Sequence, residues 1–179
     1  MDKGAYPGHS IEKIQLIQVT TEENMPHVRQ LFLEYAQWLH GKAAQAHGAS
    51  FDVVSVTRMF VEESGEFYPP YGRLYLAKYK DDIVGVGCLK RQGRGIGEIK
   101  RMYVRPAYRR KGIGKVILEQ LIKDARAIGY TRLWLDSPKE STSAHNLFQS
   151  NGFQFIEPYS GSEGAQASVG QFVYMELIL

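Results

Sequence analysis

The stretch 'RPAYRRKGIGKVILEQL', Arg105–Leu121, sets three consecutive cations against a Gly-x-Gly and then runs straight into an amphipathic pattern. Ile113, Ile117, Leu121, Ala125 and Ile128 recur at helical spacing, with Val116, Leu118 and Ile122 beside them. Lys115, Glu119, Lys123 and Arg126 fall on the opposite side. The spacing predicts a helix over 112–128, stopped by Gly129. The start of such a helix exposes about four unpaired N–H groups and roughly half a positive charge. Gly112 and Gly114 remove Cβ atoms there, and Arg109, Arg110 and Lys111 add charge beside it. These residues suit a phosphate-like anion. A tight turn followed by a solvated basic run would use the same residues, so the stretch alone supports anion binding and nothing narrower.

Upstream, 'RLYLAKY', 'DIVGVGCLKR' and 'EIKRMYV' read as three strands of a meander, turned by 'KD' and 'QGRGIG'. The glycines of 'GRGIG' lie between two strands with no Gly-Lys-Ser/Thr after them, which favours a hairpin over a phosphate loop. Pro106 ends the third strand. Nearer the start, 'IEKIQLIQV' is a first strand. Val28, Leu31, Phe32, Tyr35 and Leu39 mark a helix to about His40. 'GKAAQAHGAS' reads as a linker, and Val53–Glu63 as a second helix with Val53, Val56, Phe60 and Val61 inward. The paired prolines of 'GEFYPPYG' stop it. Downstream, 'TRLWLD' is a strand. 'STSAHNLFQSNG' is a short helix with Ser141 as N-cap and Gly152 as its stop. 'FQFIE' and 'QFVYMELIL' are closing strands. Antiparallel hairpins beside a strand-helix-strand crossover make a mixed α/β sheet with helices on both faces. Its natural ligand site lies where strands part at the crossover, by the helix N-terminus.

Composition narrows the function. At 44% hydrophobic and 23% charged residues, the chain reads as one ordinary globular domain over 1–179, with a flexible lead-in at 1–10 and a mobile Gly/Ser/Ala loop at 160–170. No apolar run reaches the roughly 18 residues of a membrane span, and the N-terminal residues have no signal-peptide core. The lone Cys88 agrees with a cytoplasmic location and reads as a buried structural thiol. The five histidines are scattered without metal-ligand spacing, so no metal is expected. A net charge of +3 suits an anionic ligand, but the basic stretch is surrounded by apolar strands, so a nucleic-acid partner is not expected.

The order of motifs is more specific than any one of them. 'RRKGIG' fits Arg/Gln-x-x-Gly-x-Gly/Ala, it follows 'EIKRMYVRPAY', and 'SAHNLFQSNGFQFIEPY' follows with an Ala-x-x-Leu-aromatic-x-x-x-Gly-Phe pattern. Together these resemble the GNAT superfamily of acetyl-CoA-dependent N-acyltransferases over about Leu74–Leu179. The segments 'LFLEYAQWL' and 'YPPYGRLYLA' resemble a bacterial branch with unassigned substrates. The resemblance implies a mostly antiparallel sheet, splayed at its central strands. It implies transfer of an acetyl group from acetyl-CoA to a small-molecule or peptide amine, and it allows a homodimer.

The resemblance also distributes roles. Met102 and Val104 would offer backbone groups to the pantetheine arm, and a main-chain N–H near Met102, Tyr103 or Val104 would polarise the thioester. Backbone N–H groups of Arg110, Lys111, Gly112, Ile113, Gly114 and Lys115 would hold the pyrophosphate, with Arg109 in the Arg/Gln position. Ser141 and Phe148 complete the cofactor side. Glu98 is the candidate general base, and a solvent-facing strand-end acid is its other reading. Tyr68 and Tyr71 are candidates for acceptor contact. One departure stands out: the usual general-acid tyrosine of the last helix is Phe148. Tyr159 or water would replace it, and a non-catalytic acyl-CoA-binding module stays open as the second function.

Overall fold

The computed structural model describes residues 14–162 and 171–179. Seven strands form one sheet in the order β1-β2-β3-β4-β5-β7-β6. They are β1 (Ile14–Gln18), β2 (Arg73–Tyr79), β3 (Asp82–Gly93), β4 (Ile96–Val104), β5 (Arg132–Pro138), β6 (Gln154–Ile156) and β7 (Phe172–Ile178). Four helices cover it: α1 (Met25–His47), α2 (Val53–Glu62), α3 (Ile113–Ile128) and α4 (Thr142–Ser150). The expected lead-in at 1–10 and most of the expected loop at 160–170 lie outside the described residues.

The meander forms as its alternation predicts. Lys80, at φ 56°, turns β2 into β3, and Gly95, at φ 74°, turns β3 into β4, so 'GRGIG' is a hairpin. From β4 the chain crosses through α3 to β5, the one parallel pair of the sheet. That pair holds over only three registers, Ile96–Arg132, Gly97–Leu133 and Glu98–Trp134. Past Glu98 no further pairing joins the two strands. β4 also carries a bulge there. Val86 faces Tyr103 while Cys88 faces Lys100, so β4 fits one extra residue into the interval, and Arg101 takes a left-handed φ of 52°.

Side-chain alternation sends residues of β2, β3 and β4 to two separate cores. Leu89, Ile99, Leu133 and Leu135 pack with Ile113, Ile117, Leu118 and Leu121 of α3. Burying each such aliphatic side chain contributes about 1.5–3 kcal/mol. On the other face Leu74, Val86, Cys88 and Tyr103 meet Val28, Leu31 and Phe32 of α1 and Phe60 of α2. Cys88 is buried there, which pushes its thiol pKa up and agrees with a structural role.

One element differs from its expected bounds. 'GKAAQAHGAS' is not a linker, because α1 continues to His47 and ends only where Gly48 turns left-handed at φ 63°. Lys42 and the alanines around Gln45 are strong helix formers, and a single exposed Gly41 costs about 1 kcal/mol, too little to break the run. The short connection that remains is capped by Asp52, whose carboxylate accepts from the N–H of Val54 at 3.1 Å.

Candidate active site

Where β4 and β5 part, a cavity of about 480 Å³ passes between them. Its wall includes Ile99 and Met102 of β4, Leu135 and Ser137 of β5, and Phe148 of α4, all from the α3 side of the sheet. It also includes Tyr35 and Trp38 of α1 and Met59 and Phe60 of α2, from the opposite side. The split strands thus give one continuous space lined from both layers. Its volume lies within the range of small-molecule sites.

The basic turn sits beside this space rather than in its wall. Gly112 is the N-cap of α3 at φ 82°, and a Cβ there would meet nothing within 4 Å, so its backbone conformation is what calls for glycine. Gly114 lies close to Leu147 of α4 and to Met102, a cavity residue, so its small size serves helix packing as well as access. Arg110 takes a left-handed φ of 61°. Arg109 is turned away from the helix start. Its guanidinium lies over the rings of Trp38 and Tyr103, and its Nε donates to the Val104 carbonyl at 2.9 Å. The Val104 carbonyl, one of the backbone groups the resemblance gave to the pantetheine arm, is therefore held by Arg109. Tyr103 is buried against Tyr35, with ring centroids 5.7 Å apart.

Glu98 is wholly buried, so it is not the solvent-facing strand-end acid of the other reading. Its Oε1 accepts from the Tyr159 hydroxyl at 2.9 Å and lies 3.6 Å from the Nζ of Lys100. Its Oε2 has no hydrogen-bond partner among the described residues. Burial raises the Glu98 pKa, against the lowering pull of Lys100 and the Tyr159 hydrogen bond, while the nearby Asp136 adds to the rise. Tyr159 is buried between Trp134 and Tyr174, at 4.6 and 5.7 Å, and burial together with Glu98 pushes its phenol pKa far up. Neither Glu98 nor Tyr159 lines the cavity. Lys100 and Asp136 do, with Glu98 behind them.

At the other end of the space, Ser141 occupies the N-cap position of α4, but its side chain makes no cap bond. Its buried hydroxyl lines the cavity without a partner among the described residues. Phe148 both lines the cavity and packs on Phe153 at 5.8 Å. Tyr68 and Tyr71 are placed elsewhere. Tyr68 donates to the Met25 sulfur at the start of α1, and Tyr71 lies exposed beneath the Arg91 guanidinium. Among the described residues no three His, Cys, Asp or Glu side chains cluster as metal ligands, and no helix is long and apolar enough to cross a membrane.

Sequence reasoning missed Asp136, Lys100, Tyr35 and Trp38. Asp136 had a readable signal: alternation along 'RLWLD' puts it on the face opposite Leu133 and Leu135. The α1 residues had none, because they reach the site only through tertiary packing.

The profile of the acetyltransferase (GNAT) family matches residues 25–153. An uncharacterized N-acetyltransferase of Bacillus subtilis, YsnE, is 37% identical over 82 residues, covering 45% of this chain and 54% of its own. The chain spans about half the length of the curated relatives it matches first. Among solved structures, an acetyltransferase from Streptococcus agalactiae superposes with a TM-score of 0.71 at 17% identity, covering 93% of this chain and 98% of its own. The PaiA N-acetyltransferase of Thermoplasma acidophilum, solved in complex with coenzyme A, does so with a TM-score of 0.70 at 18% identity, covering 93% and 99%. At these identities the two structures share the fold.

Proposed function

Since the chain belongs to the acetyltransferase (GNAT) family, we propose that it transfers an acetyl group from acetyl-CoA to an amine of a small molecule or peptide. The observation that carries this reading is the cavity through the sheet at the β4–β5 split. It lets a thioester arm enter from the α3–α4 layer and an amine from the α1–α2 layer, so that they meet between the strands. The buried Ser141 hydroxyl, without a partner among the described residues, fits a polar arm on the first side. In this reading the backbone of Met102 and Tyr103 runs along the pantetheine, and the N–H groups from Arg110 to Lys115 hold the pyrophosphate. Arg109 acts indirectly, bracing the turn against Trp38 and Val104.

The amine nitrogen attacks the thioester carbonyl carbon. A C–N bond forms, the C–S bond breaks, and the bonding pair leaves on sulfur as the thiolate of coenzyme A. The nitrogen must shed a proton, and Glu98 is the group we assign to receive it, through the wall formed by Lys100 and Asp136. Its raised pKa suits a base, which works best with a pKa near the operating pH. Tyr159, hydrogen-bonded to Glu98, orients that carboxylate. The departing thiolate needs no strong acid, because a thiol pKa is near 8.5. A cytoplasmic location fits a chain whose lone Cys88 is buried and cannot form an intramolecular disulfide.

Calorimetry with acetyl-CoA, followed by thiol release across a panel of amines, tests the proposal. Binding together with amine-dependent thiol release is the expected result. Absence of acetyl-CoA binding would sink the reading. Binding without turnover on any amine would leave an acyl-CoA-binding module in its place.

A further inference from the structure

We propose that Ser137 is a nucleophile activated by His145, and that it takes the acetyl group from the thioester when no amine occupies the cavity, so that the protein also hydrolyses acetyl-CoA. This rests on the acetyltransferase reading of the same cavity. Ser137 lies near the end of β5 and lines the cavity. Leu133 and Leu135 of the same strand fill the α3-side core, and the two-residue repeat puts Ser137 on that side as well. It is the side from which the thioester arm enters in the transferase reading. The last pair that joins β4 to β5 is Glu98–Trp134. Three residues further along each strand stand Arg101 and Ser137, so Ser137 sits across the split from the stretch of β4 that would hold the arm.

Behind Ser137 stands His145 of α4, with Nε2 3.2 Å from the serine Oγ. Both residues are buried, and His145 does not line the cavity, so the cavity reaches the pair at the serine. The Phe155 ring packs edge-on against the imidazole, with centroids 6.0 Å apart. Burial lowers the His145 pKa, against the raising pulls of a hydrogen bond with the Pro138 backbone and of Glu140. A neutral imidazole is the form that can take a proton. A hydroxyl within hydrogen-bond reach of such a base is the arrangement of an activated nucleophile. Ser141 offers the same hydroxyl in the same wall, but among the described residues nothing is bonded to it that could act as a base.

The reaction uses the tautomer in which Nε2 accepts from the Ser137 hydroxyl. Oγ attacks the thioester carbonyl carbon while its proton passes to Nε2. A C–O bond forms and the C–S bond breaks. The bonding pair leaves on sulfur, which takes the proton from His145 as the thiol of coenzyme A. Water then attacks the acetyl ester and gives a proton to Nε2. The bond from the acetyl carbon to Oγ breaks, Oγ recovers that proton, and acetic acid departs.

The test is run without any amine. The full chain is treated with diisopropyl fluorophosphate and the modified residue is mapped by peptide mass spectrometry. In parallel, phenol release from p-nitrophenyl acetate and thiol release from acetyl-CoA are followed in the wild type, Ser137→Ala and His145→Gln. We expect the label on Ser137 and release of both products by the wild type. Ser137→Ala should abolish both releases, and His145→Gln should slow them by about 10²–10⁴, as for loss of a general base. Should either variant fail to fold, the wild-type label decides by itself. No label on Ser137, a label on Ser141 in its place, release unchanged in Ser137→Ala, or thiol release that requires an amine overturns the proposal. Acetyl-CoA calorimetry on the wild type separates the two failures. Loss of binding counts against the transferase reading, and the fluorophosphate and the phenyl ester then decide the Ser137–His145 pair alone. Binding with an unlabelled Ser137 counts against the pair and leaves the transferase reading standing.

Discussion

On the face covered by α3 the sheet is apolar and closely approached, whereas on the face covered by α1 and α2 it carries buried charge. The first face is made by subtraction. Gly85, Gly87 and Gly97 lack the Cβ atoms that would hold α3 and Tyr130 away, and a Cβ at Gly87 would stand 2.3 Å from Cγ2 of Ile117. The second face retains Glu98, Lys100 and Arg101 at 0%, 4% and 4% exposure, groups that cost several kcal/mol to bury unless paired. A chain that kept those charges for stability alone would be better served by apolar replacements of similar volume. The contrast assigns the frame to one face and the chemistry to the other, and each assignment can be broken separately.

The largest expected effect is on the chemical face. Glu98→Gln keeps the shape but removes the proton acceptor, and turnover should fall by about 10²–10⁴, as for loss of a general base. That is roughly 2.7–5.5 kcal/mol of transition-state free energy. Acetyl-CoA affinity by calorimetry should stay within about two-fold, since Glu98 is not in the cavity wall. The same variant gives a pH signature. Glu98 has a folded-state pKa raised by burial above its ordinary value of 4.5. Its contribution to stability is therefore fully present below that ordinary value and lost as pH rises through the raised one. Melting temperature followed from acid towards neutral pH should show this loss in the wild type and a flatter profile in Glu98→Gln. Identical profiles and near-normal turnover would remove Glu98 from the mechanism.

On the frame face, Gly87→Ala forces a methyl against the fully buried Ile117 of α3. Overpacking of this kind costs about 1–3 kcal/mol. For a chain of this size that corresponds to a melting temperature lower by roughly 3–10 °C. Amine preference should not change, because neither Gly87 nor Ile117 touches the cavity. A loss of activity without a loss of stability would show that the two faces are less independent than their composition suggests.

The frame was legible in sequence because periodicity and turn chemistry are local. The Ile113–Ile128 stripe, the Gly129 stop and the Arg94–Gly95 hairpin all follow from residues close together in the chain. Resemblance added the cofactor reading of the Arg109–Lys115 turn, which local physics left at anion binding. The chemical face was mostly illegible. Glu98 is buried only because Tyr159, sixty-one positions away, closes over it between Trp134 and Tyr174. The end of α1 was misread for a different reason: Gly41 and Gly48 look alike as punctuation, but only Gly48 takes the left-handed conformation. Tyr68 and Tyr71 were expected at the acceptor from their loop position; in the structure Tyr68 contacts Met25, Tyr71 lies under Arg91, and neither lines the cavity.

Phe148 stands at the border of the two regions and gives the smallest expected effect. It belongs to the α3-side core through Phe153 yet also lines the cavity. Phe148→Tyr adds a hydroxyl that must find a partner or cost about 1–3 kcal/mol as a buried unsatisfied group. The Ser141 hydroxyl, without a partner among the described residues, lines the same cavity, where the proposed reading also puts the departing sulfur. If thiolate departure were strongly limiting, the new phenol would raise turnover by the 10²–10⁴ typical of a general acid. A thiolate leaves readily without one, however, because the thiol pKa is near 8.5. We therefore expect a rise in turnover below about ten-fold with acetyl-CoA affinity within about two-fold, read from steady-state thiol release and calorimetry. A rise of a hundred-fold would mean that Phe148 marks an impaired catalyst. A fall would mean that its ring packs against the bound arm, and that the frame extends further into the cavity than its lining suggests.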